Sequence, residues 1–210
     1  MSHEANSLEL RKKILALRRG QSLGERNRRS EMIFERWRQA FPAQASVSSK
    51  AVALYRAMAE EVDITPVQKF LSSLGARLYF PRLASTDALE FDLVRVDAST
   101  QWKKGTFGIE EPVSGEVLAS PGDLMMVFVP GVVFGPEGER VGMGKGHYDR
   151  FLAKNDHALR VSLAFDFQCG ENIHQNSWDQ PVDWIFTEVR EFRGKNWSRR
   201  MGSLTSQLRK

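Results

Sequence analysis

The feature that most constrains the fold is an uninterrupted apolar run near the middle of the chain, Leu124-Met125-Met126-Val127-Phe128-Val129. Because all of its side chains are apolar, the run lacks the alternation that marks a strand with one face in water. A strand of this kind is buried on both faces, as happens when helices cover both sides of a parallel sheet. The run therefore predicts the central strand of an α/β protein.

Other short apolar runs alternate with helical patterns along the chain. Strands are predicted at 51–55, 77–80 (ending before Pro81), 89–94, 160–165 and 184–187, and helices at 7–19, from Ser22 to Pro42, from Thr65 to Gly75, and at 148–154. The second helix begins with a capping box, Ser22-Leu23-Gly24-Glu25, and the third with a capping hydroxyl before a proline, Thr65-Pro66. This order predicts an α/β fold: a single domain with a mostly parallel central sheet flanked by helices, in a Rossmann-like three-layer arrangement.

The charge of the chain is unevenly distributed. The formal net charge over 210 residues is +4, but residues 1–40 carry 10 Lys and Arg against 5 Asp and Glu, residues 190–210 carry 7 against 1, and the middle carries 13 against 20. A nucleic-acid-binding module gathers positive charge on one folded face, so this distribution disfavours that class. We expect a catalytic domain over 1–189 and a loosely held basic tail over 190–210.

Two absences in the sequence narrow the class of protein further. No run of about eighteen apolar residues occurs, and the N-terminus lacks the pattern of a signal peptide, so we expect no membrane partner. The single cysteine, Cys169, excludes an internal disulfide and a cysteine-rich zinc site. These features favour a cytoplasmic protein, and we expect it to be a monomer.

Several candidate functional residues follow the central strand. Gly142-Met143-Gly144-Lys145-Gly146 alternates three glycines, so its backbone N–H groups are free to converge on an anion at the start of a helix. Arg140 and Lys145 add positive charge for phosphate, and Asp149 offers a carboxylate to a magnesium ion that phosphate also binds. The pattern is neither a Walker A loop nor a dinucleotide fingerprint. On spacing alone, a nucleotide site and an ordinary turn both stay open.

The same segment resembles the signature of the 5-formyltetrahydrofolate cyclo-ligases, also called methenyltetrahydrofolate synthetases. The resemblance lies in Pro130-Gly131, Phe134, Gly138, Arg140 and Gly142-x-Gly-x-Gly-x-Tyr-Asp-Arg, and in further landmarks in the family's order at Leu10-Arg11 to Ser22, Tyr55 to Asp63, Phe80-Pro81, Gly108 to Pro112 and Trp178 to Thr187. It covers residues 8–188. One departure is Ser7, where the family usually has a lysine; Lys12 or Lys13 is an alternative source of that charge.

The resemblance implies an enzyme that converts 5-formyltetrahydrofolate to 5,10-methenyltetrahydrofolate with ATP and Mg²⁺. In such a reaction the γ-phosphate of ATP is transferred to the formyl oxygen, N10 of the folate attacks the activated carbon, and phosphate leaves. The protein has to align the reactants and neutralise charge, and no nucleophilic side chain is needed.

The resemblance also implies a role for particular residues. The implied catalytic residues are Lys145, Arg140 and Tyr148; the ATP-binding residues are Arg11, Arg140, Gly142, Gly144, Lys145, Gly146, His147 and Tyr148; the folate-binding residues are Glu61, Met58, Met143 and Tyr148; and the magnesium ligands are Asp149 and Asp179.

Several of these residues also have a purely structural interpretation. Arg11 is one of several arginines on an exposed helix, Glu61 lies among other acids in a loop, and Asp149 and Asp179 are also suited to capping a helix and a turn. For the whole chain, two alternatives stay open: a divergent family member that binds ATP but acts on another substrate, and a nucleic-acid-binding module that uses the basic ends.

Overall fold

The computed structural model describes residues 3–41, 47–85, 88–105, 108–170, 173 and 175–208. Its helices are α1 (His3–Gly20), α2 (Leu23–Ala40), α3 (Thr65–Ser73), α4 (His147–Lys154) and α5 (Trp197–Leu208). Its strands are β1 (Ala51–Ala53), β2 (Arg77–Leu83), β3 (Phe91–Val96), β4 (Trp102–Lys104), β5 (Glu110–Pro112), β6 (Leu124–Phe128), β7 (Val133–Phe134), β8 (Arg140–Val141), β9 (Leu159–Leu163), β10 (Trp184–Phe186) and β11 (Glu191–Arg193).

Seven strands form one sheet in the order β11-β10-β9-β6-β1-β2-β3. The four inner pairings are parallel, and the pairings of β11 and β3 at the two edges are antiparallel. Strand β6 lies at the centre and is buried along its whole length, as its apolar run predicts. The predicted α/β class with a mostly parallel central sheet is confirmed.

Both faces of the sheet are covered, because successive side chains of the central strands point in opposite directions. Met126 and Phe128 join one core cluster with Trp37 of α2 and Leu71 of α3. Val127 joins a second cluster with residues such as Leu152 of α4. A small third cluster packs Ile14 of α1 against the short strands β7 and β8. The described elements therefore form three layers, with the sheet between helices.

Several predicted boundaries shift by one to four residues. The capping box is confirmed, since Glu25 N donates to Ser22 Oγ at 3.2 Å and Ser22 N to the Glu25 carboxylate at 3.4 Å. Thr65, in contrast, lies inside α3 and its hydroxyl does not cap the helix. Strand β2 continues through Pro81, because β1 pairs with β2 only as far as Tyr79 and leaves an edge where a proline is tolerated. Pro42, the predicted end of the second helix, lies outside the described residues. Within those residues, no helix is both long and apolar enough to cross a membrane.

The prediction of a loosely held tail after residue 189 is wrong. Residues 191–193 form the edge strand β11, and α5 packs on the sheet through Trp197, Met201 and Leu204. These three residues have helical spacing and so share one face of α5. The buried Arg200 forms ion pairs with Asp183 and Asp156, so part of the basic charge of this segment serves to hold it in place.

Candidate active site

The candidate active site lies at the edge of the sheet where the parallel strands β1 and β6 end. Strand β1 leads into segment 54–61 and β6 into segment 129–146, and ligands of parallel α/β sheets bind outside the carboxyl ends of the strands. Helix α1 contacts both segments. Arg11 Nε donates to the carbonyl of Gly142 at 2.9 Å, and Arg18 Nη2 lies 3.1 Å from Glu61 Oε1. One helix thus joins the glycine loop to a buried acid.

The glycine loop, residues 142–146, has a backbone that favours glycine. Gly144 has φ +87° and Gly146 has φ +66°, a left-handed conformation in which other residues are strained. Gly146 directly precedes α4, so the N-terminus of that helix, with its positive partial charge, adjoins the loop. The guanidinium of Arg11 lies near Gly144, where an added Cβ would be 3.7 Å from Nη2. Backbone amides, a helix N-terminus and the nearby guanidinium of Arg11 form a site suited to phosphate.

Arg140 and Asp149 form an ion pair at the base of this loop. Arg140 Nη2 donates to Asp149 Oδ1 at 2.6 Å, and the Arg140 side chain is almost fully buried. The backbone N–H of Gln180 donates to the same carboxylate oxygen at 3.1 Å. Asp149 is therefore held by a cation and an amide, in addition to its place in the first turn of α4.

Asp179, the second predicted magnesium ligand, precedes Gln180 and is thereby brought close to Asp149. Its Oδ2 accepts hydrogen bonds from Asn176 N at 2.7 Å and Asn176 Nδ2 at 3.2 Å, so it also caps a turn. The hydrogen bonds of the two acids use Oδ1 of Asp149 and Oδ2 of Asp179, which leaves one oxygen of each for a cation. No group of three His, Cys, Asp or Glu suited to a metal occurs among the described residues. Two carboxylates suit Mg²⁺, which takes its other ligands from phosphates and water.

Glu61 is the buried acid on the other side of the site. Its Oε1 pairs with Arg18, and its Oε2 accepts a hydrogen bond from the backbone N–H of Met58 at 3.0 Å. Burial raises the pKa of Glu61, while the charge of Arg18 acts in the opposite direction. Glu61 is thus a fixed, partly desolvated acceptor and not a solvated loop acid.

Two tyrosines lie within the electrostatic reach of Glu61. Burial raises the pKa of Tyr55 and of Tyr148, and the charge of Glu61 raises both further. The Tyr148 ring also packs against Phe91, with ring centroids 5.2 Å apart. Tyr148 is the second residue of α4, so it directly follows the glycine loop, and the effect of Glu61 on its pKa places it near that acid as well. The structure therefore brings the predicted phosphate side and the predicted folate side together.

The remaining predicted residues differ in their surroundings. Lys145 and Met143 project from the glycine loop into solvent, and within the described part of the chain no acid pairs with Lys145. His147 Nε2 lies 3.0 Å from the carbonyl oxygen of Ala88. Arg150 holds the loop from behind, since it donates to the Lys145 carbonyl at 2.7 Å and to the Leu89 carbonyl at 2.8 Å.

Arg18 is the residue of the site that the sequence analysis did not single out. It is 2% exposed, although it lies in a helix rich in exposed basic residues. The available signal was its spacing, because Arg11, Ile14 and Arg18 follow one another at i, i+3 and i+7 on one helix face. Arg18 shares this face with an apolar core position and a candidate phosphate ligand, so its side chain is expected to point into the protein.

Comparison with known proteins identifies the family of this chain. The model of the 5-formyltetrahydrofolate cyclo-ligase family matches residues 3–188. The mouse 5-formyltetrahydrofolate cyclo-ligase is 28% identical over 191 residues, which cover 86% of this chain and 90% of the mouse protein. The Haemophilus influenzae protein of the same name is 31% identical over 137 residues, covering 64% of this chain and 73% of that protein.

Solved structures show the same relationship. The solution structure of Aquifex aeolicus 5,10-methenyltetrahydrofolate synthetase matches with a TM-score of 0.76 and 38% identity, covering 90% of this chain and 93% of that one. The Mycoplasma pneumoniae 5,10-methenyltetrahydrofolate synthetase, at 23% identity and a TM-score of 0.69, shares the fold over 90% of this chain and 99% of its own. Sequence, geometry and fold agree that the chain belongs to the 5-formyltetrahydrofolate cyclo-ligase family.

Proposed function

We propose that this protein converts 5-formyltetrahydrofolate to 5,10-methenyltetrahydrofolate in a reaction that consumes ATP and requires Mg²⁺. The observation that carries the proposal is the double contact of α1, in which Arg11 meets the glycine loop and Arg18 meets Glu61. Seven residues of helix separate the two arginines by about 10 Å. This double contact supports the proposal, because it would hold a phosphate site and a site for a polar heterocycle side by side, as a transfer between ATP and folate requires.

The phosphate side is assigned to the glycine loop. The backbone amides of Gly142, Gly144 and Gly146 would bind the phosphates of ATP, and His147, at the start of α4, would contribute to the same site. Arg11 and Lys145 would add positive charge, with Lys145 nearest to the transferred group. Arg140 would contribute its charge at the base of the loop. Asp149 and Asp179 would hold Mg²⁺, which would further neutralise the phosphate charge.

The folate side is assigned to Glu61. Its carboxylate accepts hydrogen bonds, and the N–H groups of a pterin ring donate them. Arg18 and the Met58 amide fix the orientation of this carboxylate. The side chain therefore does not have to be ordered when the pterin ring binds. Met58, Met143 and Tyr148 would line the ring, with Tyr148 between the two reactants.

The proposed chemistry explains why the reaction needs ATP. The formyl group on N5 is an amide, and its oxygen is a poor leaving group. Transfer of the γ-phosphoryl group breaks its bond to the β-phosphate oxygen, forms a bond to the formyl oxygen, and releases ADP. N10 then attacks the formyl carbon, loses its proton to solvent, and expels inorganic phosphate that carries the former formyl oxygen. Alignment and charge neutralisation are what the protein must supply.

The proposal is tested by mixing the purified protein with 5-formyltetrahydrofolate and Mg-ATP and following the absorbance of the methenyl product. A Lys145→Ala variant should lose most of its rate, because a charge next to the transferred phosphate is removed. Lys154→Ala is the matched control, since Lys154 is an exposed lysine of α4 that pairs with Glu90. If the folded protein binds ATP but forms no product, the chain is a divergent member with another substrate.

We further propose a monomeric enzyme located in the cytoplasm that binds neither nucleic acid nor membranes. Gel filtration with light scattering tests whether the protein is a monomer. Nucleic acid that remains bound during purification would contradict the proposal that the protein does not bind it.

A further inference from the structure

Helix α5 reaches the site from behind through a chain of buried charged residues. Arg200, Asp183 and Arg160 are all 2% exposed or less. Arg200 Nη1 lies 2.5 Å from Asp183 Oδ1, and Asp183 Oδ2 accepts a hydrogen bond from Arg160 N at 2.8 Å. This chain of contacts begins beyond residue 188, where the match to the family ends.

The guanidinium of Arg160 bridges the two parts of the chain that carry Asp149 and Asp179. Its Nη2 donates to the carbonyl of Leu152 in α4 at 2.7 Å. Its Nη1 donates to Gln180 Oε1 at 3.2 Å and to the carbonyl of Pro181 at 3.1 Å. Gln180 in turn donates its backbone N–H to Asp149. Arg160 therefore fixes the segment after Asp179 against α4, the helix that contains Asp149.

Packing alone does not explain this set of buried charges. Trp197, Met201 and Leu204 already attach α5 to the core, and a buried ion pair contributes little net stability because its desolvation is costly. Burial lowers the pKa of Arg160 to about 10, which reflects that cost. A guanidinium group is planar and donates several hydrogen bonds in a fixed geometry, so it can fix the relative positions of several acceptors.

We propose that Arg200 and Arg160 are positioning residues, through which α5 holds the Asp179 segment at the distance from Asp149 that a magnesium–nucleotide complex needs. This inference rests on the proposed function, in which both carboxylates bind that complex. Residues that orient metal ligands typically change metal affinity by about 10–100-fold when they are replaced.

The experiment compares Arg200→Lys and Arg160→Lys with a control, Arg199→Ala. Lysine keeps a charge near Asp183 or Leu152 but cannot form the fork of bonds, so we expect the variants to fold. Arg199 is the neighbouring arginine of α5; it is exposed and pairs with Asp156, which Arg200 also contacts, but it does not pair with Asp183. The measurements are hydrogen exchange of the Gln180 amide and calorimetric binding of ADP with and without Mg²⁺, on the full chain below its melting temperature.

In both lysine variants, the Gln180 amide should exchange about tenfold faster or more, and the affinity for MgADP should fall about tenfold. Binding of metal-free ADP and both properties of Arg199→Ala should stay at the wild-type value. A lower melting temperature with unchanged Gln180 exchange and unchanged MgADP affinity would overturn the inference, as would equal effects in Arg199→Ala. If the wild-type protein binds no MgADP, the proposed function fails, and the Gln180 exchange alone decides whether α5 positions the segment.

Discussion

Arg18 Nη2 lies 3.1 Å from Glu61 Oε1, and the guanidinium side of this ion pair is almost completely buried while Glu61 keeps 11% of its side chain exposed. The exposed part of the pair is therefore the carboxylate and not the guanidinium. The second oxygen of Glu61 is already occupied by the Met58 amide, so the carboxylate cannot rotate freely. This gives an acceptor of fixed direction at the place where we assign the pterin ring.

Replacing Arg18 by methionine should weaken folate binding selectively. The KM for 5-formyltetrahydrofolate should rise about tenfold or more, while the KM for ATP changes little, because Arg11 and the glycine loop are untouched. The free energy of unfolding should fall by about 3–5 kcal/mol, since the change leaves a buried carboxylate without its partner. Steady-state kinetics and urea unfolding measure the two effects. Arg19→Met, at an exposed neighbouring position, is the control, and equal effects there would contradict the account.

The raised pKa of Glu61 predicts a pH dependence of stability. A carboxyl group whose pKa is higher in the folded than in the unfolded chain binds its proton more tightly when folded. Its contribution to stability is then fully present below the unfolded pKa, about 4.3 for glutamate, and is lost as pH rises through the folded value. The free energy of unfolding of the wild type relative to Glu61→Gln should therefore fall across that window. A difference that rises with pH would show that the pKa is lowered instead.

The same shift predicts the acid limb of activity. Folate binding needs the ionised carboxylate, so kcat/KM for folate should fall as pH drops below the raised pKa of Glu61. Because Arg18 opposes the effect of burial, its replacement should raise this pKa further and move the acid limb to higher pH. An acid limb in Arg18→Met at or below that of the wild type would contradict the assignment.

Gly144→Ala should impair the glycine loop. The backbone at Gly144 has a left-handed φ of +87°, which costs an alanine about 1–2 kcal/mol. The loop should relax away from the geometry that presents its amides, and the KM for ATP should rise at an unchanged KM for folate. Gly202→Ala is the control, because a Cβ there meets no atom within 4 Å and alanine favours the helix by about 0.5–1 kcal/mol. A normal KM for ATP in Gly144→Ala would remove the loop from the nucleotide site.

The attachment of α5 predicts a large effect at Leu204. This side chain is 2% exposed and belongs to the main core cluster, so Leu204→Ala should lower the free energy of unfolding by about 2–5 kcal/mol. Its exposed neighbour Thr205, replaced by alanine, should change stability little. If Leu204→Ala unfolds like the wild type in urea, α5 is not part of the cooperative fold.

The sequence predicted the centre of the fold better than its end. The run 124–129 has no polar position, so only a strand covered on both faces suits it, and the structure places it at the centre of the sheet. In α5, by contrast, the apolar stripe of Trp197, Met201 and Leu204 is interrupted by basic residues that suggest solvent. Their acidic partners, such as Asp183, come from elsewhere in the chain, and no local pattern shows such a pairing.

In the candidate site too, residues of one local motif were predicted, whereas roles that depend on distant contacts were not. The glycine loop and Asp149 were predicted because a single short motif contains them. Arg18 was not, because its role depends on Glu61, 43 residues away in the sequence, and on the crossing of α1 over the carboxyl ends of the strands. Asp179 was predicted from the resemblance, but its cap on Asn176 and its link to Asp149 through Gln180 depend on the folded chain.

The transfer of a phosphoryl group to the formyl oxygen, on which the proposed function depends, can be followed by isotope transfer. The substrate is 5-formyltetrahydrofolate labelled with ¹⁸O in the formyl group, and inorganic phosphate is analysed by mass spectrometry after a turnover with Mg-ATP. We expect one ¹⁸O atom in each phosphate released, and no labelled phosphate without ATP. Methenyl product accompanied by unlabelled phosphate would show that the formyl oxygen leaves by another route and would contradict the mechanism.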